Sequence, residues 1–68
     1  MTLNPMMATY QELCKLIREH SIDKGIITVS KTCKKVLDEA RTANPNKDKI
    51  EQINIAKELF KTNSKKYI

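Results

Sequence analysis

The chain has 68 residues, with 13 Lys and Arg against 8 Asp and Glu, and a formal charge of +5. A chain this short buries only ~60% of the surface its unfolded form exposes, so a single small domain of marginal stability is expected, with little room to enclose a pocket. Hydrophobic residues make up 40% and there are one Gly and two Pro, which argues against a disordered chain. The three aromatic residues, Tyr10, Phe60 and Tyr67, are too few for a platform that stacks single-stranded bases.

The spacing predicts a first helix over 9–20. In "TYQE" Thr9 and Glu12 stand three apart, as in a capping box. Tyr10, Leu13, Cys14 and Ile17 then recur at i, i+3, i+4 and i+7, with Leu16 at the edge of the stripe. Arg18 and His20 lie near the helix end, where positive charge suits the dipole. "SIDKG" reads as a break, with Gly25, the single glycine, supplying backbone freedom. Residues 25–29 read either as a bent connector or as a short extended segment.

The second helix is expected over 29–43. Val29, Cys33, Val36, Leu37 and Ala40 share one face, spanning ~100° of the wheel. Lys31, Lys34, Lys35, Asp38 and Arg41 lie on the other side. In "ANPN" Pro45 disfavours helical geometry at Asn44 and ends the helix. A third helix is expected over 47–62, capped by Asn46 or Asp48. Ile50, Ile53, Ala56 and Phe60 form one stripe, and Ile55 and Leu59 a second. Two apolar faces imply a central helix clamped by both others, or a contact between subunits. Residues 1–8 and 63–68 are expected to be flexible ends. The expected fold class is therefore all-α: a small three-helix domain over 1–68, with or without a short extended segment at 25–29.

Enzyme chemistry finds little support. Structural zinc uses four ligands, usually in close pairs, and here Cys14, Cys33 and His20 are scattered. The two cysteines read as thiols packed as small hydrophobes, although adjacent antiparallel helices could also join them as a disulfide. Cys14 and His20 stand six residues apart, about 240° around a helix, and so do not share a face. No paired carboxylates sit in an apolar setting, and a single glycine makes no phosphate loop. His20 reads as a helix-terminal charge. No catalysis, metal, cofactor or small-molecule substrate is expected. No apolar run approaches the ~18 residues of a membrane span. "MTLNPMMATYQEL" has no basic head before an apolar core, so no secretory signal is expected. The expected compartment is the cytoplasm, or the nucleus of a cell that has one.

Charge is the main functional signal. Residues 1–25 are net neutral, whereas 26–49 carry six positive against three negative charges and 50–68 four against two. Such a field attracts phosphate, acidic proteins or anionic lipid, or simply keeps a protein soluble. The second helix offers Lys31, Lys34, Lys35 and Arg41, with Thr28 and Ser30 beside them. "TVSKTCKKVLDEA" resembles the recognition helix of a helix-turn-helix protein, which implies a helix that enters the major groove. The preceding "HSIDKGII" departs from that pattern. Asp38 would repel phosphate, and Lys34/Asp38 and Lys35/Glu39 have the i,i+4 spacing of surface ion pairs.

With "GIITVS" taken as a strand, residues 26–60 resemble a ribbon-helix-helix dimer. The resemblance implies that Thr28 and Ser30 read bases while Ile27 and Val29 face the core. Lys31 departs from it, standing where a third inward apolar residue is usual, and so does the long first helix. A different class, a protein–protein module, would use Ile55, Leu59 and the Ile26/Ile27 connector, with Lys57, Lys61 and Lys65 as an electrostatic rim. The expected function is a small basic nucleic-acid-binding regulator. The alternative is a non-enzymatic adaptor, inhibitor or assembly subunit with an acidic protein partner. Self-association is expected in either case.

Overall fold

The structure, a computed structural model, describes residues 4–67. Helix α1 spans Pro5–His20, α2 Ile26–Ala43, α3 Lys49–Thr62 and the one-turn α4 Ser64–Tyr67, with no strand among the described residues. The all-α reading is what the structure shows, and the three long helices lie where their apolar stripes put them. Two local expectations, the start of α1 and the conformation of 25–29, are corrected.

Helix α1 begins four residues earlier than the Thr9 capping box suggested. The Asn4 side chain accepts from the Met6 amide at 2.9 Å, and Pro5 stands at the first helical position. There its fixed φ suits a helix and its missing N–H costs nothing. Thr9 lies inside the helix, its hydroxyl donating to the Pro5 carbonyl at 2.8 Å. Of the expected flexible end 1–8, residues 1–3 lie outside the described residues and 5–8 are helical.

The extended alternative at 25–29 is not formed, because α2 starts at Ile26. Asp23 braces the entry to α2, which has no side-chain cap of its own. One of its carboxylate oxygens accepts from the Gly25 amide at 2.9 Å, and the other from the Thr28 hydroxyl at 2.8 Å. These two bonds, led by the backbone one, hold the Asp23 carboxyl below its ordinary pKa. Gly25 sits at φ −63°, open to any residue, so its backbone freedom is not used. A Cβ there would stand 3.1 Å from the Asp23 oxygen that accepts the Gly25 amide, so that side chain would have to shift slightly.

Helix α2 ends at Ala43 as Pro45 dictates. Asn44 closes it, its backbone and side-chain N–H groups both donating to the Ala40 carbonyl at 3.0 Å. The Asn44 carbonyl in turn accepts from the buried Gln52 side chain at 3.0 Å, which ties this turn to α3. Asp48 caps α3 through the Glu51 amide at 2.8 Å, a device whose loss typically costs ~1 kcal/mol.

Helix α3 packs against both α1 and α2. Its two apparent stripes are one broad face. At ~100° per residue, Gln52, Ala56 and Leu59 fill the arc between Ile55 and Ile53. Ile53, Ala56 and Phe60 are buried with Leu13 and Ile17 of α1 and Val29, Cys33, Val36, Leu37 and Ala40 of α2. Ile55 and Leu59 pack half-buried against that cluster.

Of the tail expected to be flexible, 63–68, Ser64–Tyr67 form the turn α4, and Ile68 lies outside the described residues. Tyr67 is only 8% exposed and stacks on Phe60 with ring centroids 6.2 Å apart. Its hydroxyl donates to the Glu39 carboxylate of α2, so the C-terminal turn closes the core beside α3.

Candidate nucleic-acid interface

The cations divide into two populations. Lys47, Lys57, Lys61 and Lys66 all form ion pairs, with Glu51 at 3.9 Å, Glu12 at 2.7 Å, Glu58 at 3.6 Å and Glu39 at 3.4 Å. Lys15, Arg18, Lys24, Lys31, Lys34, Lys35 and Arg41, and beyond them Lys49 and Lys65, have no carboxylate within 4.0 Å among the described residues. Three of the acids near them in sequence are drawn elsewhere. Glu12 reaches across to Lys57 of α3, a contact that holds its carboxyl below the ordinary value. Asp23 braces the entry to α2. Glu39 turns to Tyr67 and Lys66, its carboxyl lowered first by the Tyr67 hydroxyl. Neither expected pair, Lys34/Asp38 or Lys35/Glu39, is among the ion pairs formed.

The predicted contacts on α2 split accordingly. Ser30, Lys31, Lys34 and Arg41 are exposed and fall within ~100° of one another on the helix. Asp38 and Ile27 lie inside that arc. Lys35 is exposed a little further round, its ammonium 6.0 Å from the centre of the Tyr67 ring. Thr28 is half-buried and its hydroxyl is committed to Asp23, so it stands apart from the group. The ribbon-helix-helix arrangement has no strand here, and Ile27, which it would bury, is 72% exposed.

A groove of about 330 Å³ runs between α1 and the start of α2. Cys14 and Val29 lie along it with Tyr10 and Ile26, and Lys15, Arg18 and Lys24 supply its positive charge. These three cations were not singled out in the sequence, where their segment sums to zero. Their freedom depends on where Glu12 and Asp23 point. Cys14 and Cys33 meet beneath the groove with sulfurs 3.5 Å apart, both as free thiols. Burial pushes the Cys33 thiol up to about 12. The Tyr10 phenol is pushed above its ordinary value, first by its hydrogen bond with Cys33.

The residues offered for a protein interface do not form one surface depression. Ile26 (83% exposed) lines the α1–α2 groove. Ile55 and Leu59 line a separate shallow one with Asn54, Glu58 and Thr62. Ile22, in the loop before α2, is 95% exposed. His20 closes α1, its Nδ1 2.9 Å from the Leu16 carbonyl and its ring edge-on to Phe60. Among the described residues no three His, Cys, Asp or Glu side chains form a metal-binding group, and no helix is long and apolar enough to cross a membrane.

Comparison with known proteins gave no match to any family model, curated protein or solved structure.

Proposed function

We propose that the protein is a small regulator that binds nucleic acid through the outer face of α2. Lys31, Lys34 and Arg41 are the principal phosphate contacts, Ser30 a neutral hydrogen-bonding neighbour, and Lys35 a peripheral cation. Lys15, Arg18 and Lys24 extend the same field across the groove. The observation that carries this reading is the segregation of ion pairs. Among the described residues all seven cations of α1, α2 and their connecting loop lack an ion pair, whereas from Lys47 onward four of six are paired, Lys49 and Lys65 being the exceptions. An unpaired cation can release a condensed counterion from a phosphate without first breaking an internal contact. Asp38 sits among the contacts and lowers their net charge, which favours spaced phosphates over a dense anion.

Two triple variants of equal net charge test this. Replacing Lys31, Lys34 and Arg41 by Ala is expected to weaken binding to a short DNA duplex and to flatten the plot of log affinity against log salt by about 2.7, since each lost phosphate contact removes ~0.9. Replacing the ion-paired Lys47, Lys57 and Lys61 instead is expected to leave the slope nearly intact. Equal losses in both variants would reduce the effect to overall charge, and no loss in the first would end the proposal.

A second reading, docking of a protein or a second copy of this chain, has its own observation. Ile22, Ile26 and Ile27 are 95%, 83% and 72% exposed at the start of α2, and such apolar side chains mark partner surfaces when they cluster. Under that reading the double variant Ile26→Ser/Ile27→Ser keeps its helicity and loses concentration-dependent mass in sedimentation. A wild-type chain that stays monomeric at all concentrations rules out self-association.

A further inference from the structure

We propose that Cys14 and Cys33 are an oxidisable dithiol, a modification site at which a peroxide joins α1 to α2 through a disulfide. The two sulfurs come from different helices, 19 residues apart in sequence, and stand 3.5 Å from one another. Both helices are anchored in the same core, α1 by Leu13 and Ile17 and α2 by Val29, Val36 and Ala40, so the pair is held together rather than meeting by chance.

The two thiols differ in access, and this assigns their order. Cys14 is half-buried and lines the α1–α2 groove, whose open volume of about 330 Å³ admits a small oxidant. Cys33 is wholly buried and has Cys14 as its sulfur neighbour. Cys14 is therefore the sulfur a peroxide meets, and Cys33 the one that resolves it. In the first step the Cys14 thiolate attacks one peroxide oxygen, the O–O bond breaks, and hydroxide leaves a sulfenic acid on Cys14. In the second, the Cys33 sulfur attacks the Cys14 sulfur, the S–O bond breaks, and the departing hydroxide takes the Cys33 proton as water. Overall two thiols and one hydrogen peroxide give one disulfide and two waters. Only a modest approach of the sulfurs separates the reduced pair from the ~2.05 Å of the bond.

The test uses the full chain and hydrogen peroxide. After treatment and alkylation under denaturing conditions, the monomer is expected to lose the mass of two hydrogen atoms and to take up no alkylating agent until reduced. Peptide mapping is expected to join Cys14 to Cys33. The bond closes a loop of a length for which cross-linking raises Tm in a domain this small by about 10 °C or more. Cys33→Ser is expected to stop at the sulfenic acid, trapped by a 1,3-diketone probe, with no rise in Tm. Cys14→Ser, a change at the less buried position, is expected to leave Cys33 alkylatable after the same treatment. The proposal is overturned if both thiols of the native chain remain alkylatable, if the bond forms only between chains, or if Cys14→Ser fails to protect Cys33 from oxidation.

Discussion

Phe60→Ala is expected to leave the chain without a cooperative unfolding transition. Phe60 is the largest of the fully buried side chains, at 0% exposure. It stands between the His20 ring of α1, 5.8 Å away, and the Tyr67 ring of α4, 6.2 Å away, and so joins three helices. Truncating a buried Phe to Ala costs ~3–5 kcal/mol in lost transfer energy and cavity. At ~0.05–0.15 kcal/mol per residue, a domain of this length has roughly 3–10 kcal/mol in total. The loss is therefore comparable with the whole stability. Circular dichroism against denaturant reads it directly: the wild type should show a sigmoid and the variant a gradual slope. Phe60→Leu, which keeps most of the volume, should retain the sigmoid at a lower midpoint. A Phe60→Ala protein melting within a few degrees of wild type would mean that the core does not close around this ring.

Tyr67→Ala should be nearly as damaging, although the residue is the last one described. Its ring is 8% exposed and covers Phe60, so its removal opens the core from the C-terminal side. A buried aromatic truncation again predicts about 3 kcal/mol or more. A frayed tail predicts no change, and urea midpoints decide between them. The hydroxyl gives a second, pH-dependent signature. Burial, and then its bond to Glu39, push the Tyr67 phenol from 10.0 up to about 12. The folded state thus holds this proton more tightly than the unfolded chain does. The associated stability is complete below the unfolded value near pH 10 and is lost as pH rises through 12. Tyr67→Phe should remove that share of the alkaline loss while keeping the ring in place. The measurement is the denaturation midpoint followed from neutral to strongly alkaline pH. An alkaline limb identical in wild type and Tyr67→Phe would show that this phenol is not protected by the fold.

The large features of the fold were legible because they rest on many residues acting together. The α2 stripe from Val29 to Ala40, the stop at Pro45 and the Asp48 cap each agree with their neighbours, and the structure follows them. What escaped the sequence was decided by one or two groups. Asn4 and Thr9 are both chemically fit to cap α1, and Pro5 tips the balance toward Asn4. "IITVS" is rich in β-branched residues, yet it is helical, with Asp23, three residues before α2, bonded to the Gly25 amide and the Thr28 hydroxyl. A single tyrosine turns a lysine-rich tail into part of the core.

The candidate interface was legible by residue type and not by freedom. Lys31, Lys34 and Arg41 followed from the helical wheel. That Lys57 and Lys66 belong to a different class from Lys15 and Arg18 depends on Glu12–Lys57 and Glu39–Lys66 contacts spanning 45 and 27 residues. No local pattern encodes such pairings.

The uneven sharing of carboxylates gives the protein a permanent electrical orientation. Its shortest dimension is 18 Å, about two Debye lengths at physiological ionic strength. Charge on one side is therefore screened in solution before it reaches the other. An approaching polyanion would feel the seven free ammonium and guanidinium groups of α1, α2 and their loop more strongly than the two unpaired lysines beyond, Lys49 and Lys65, and turn the former toward itself before contact.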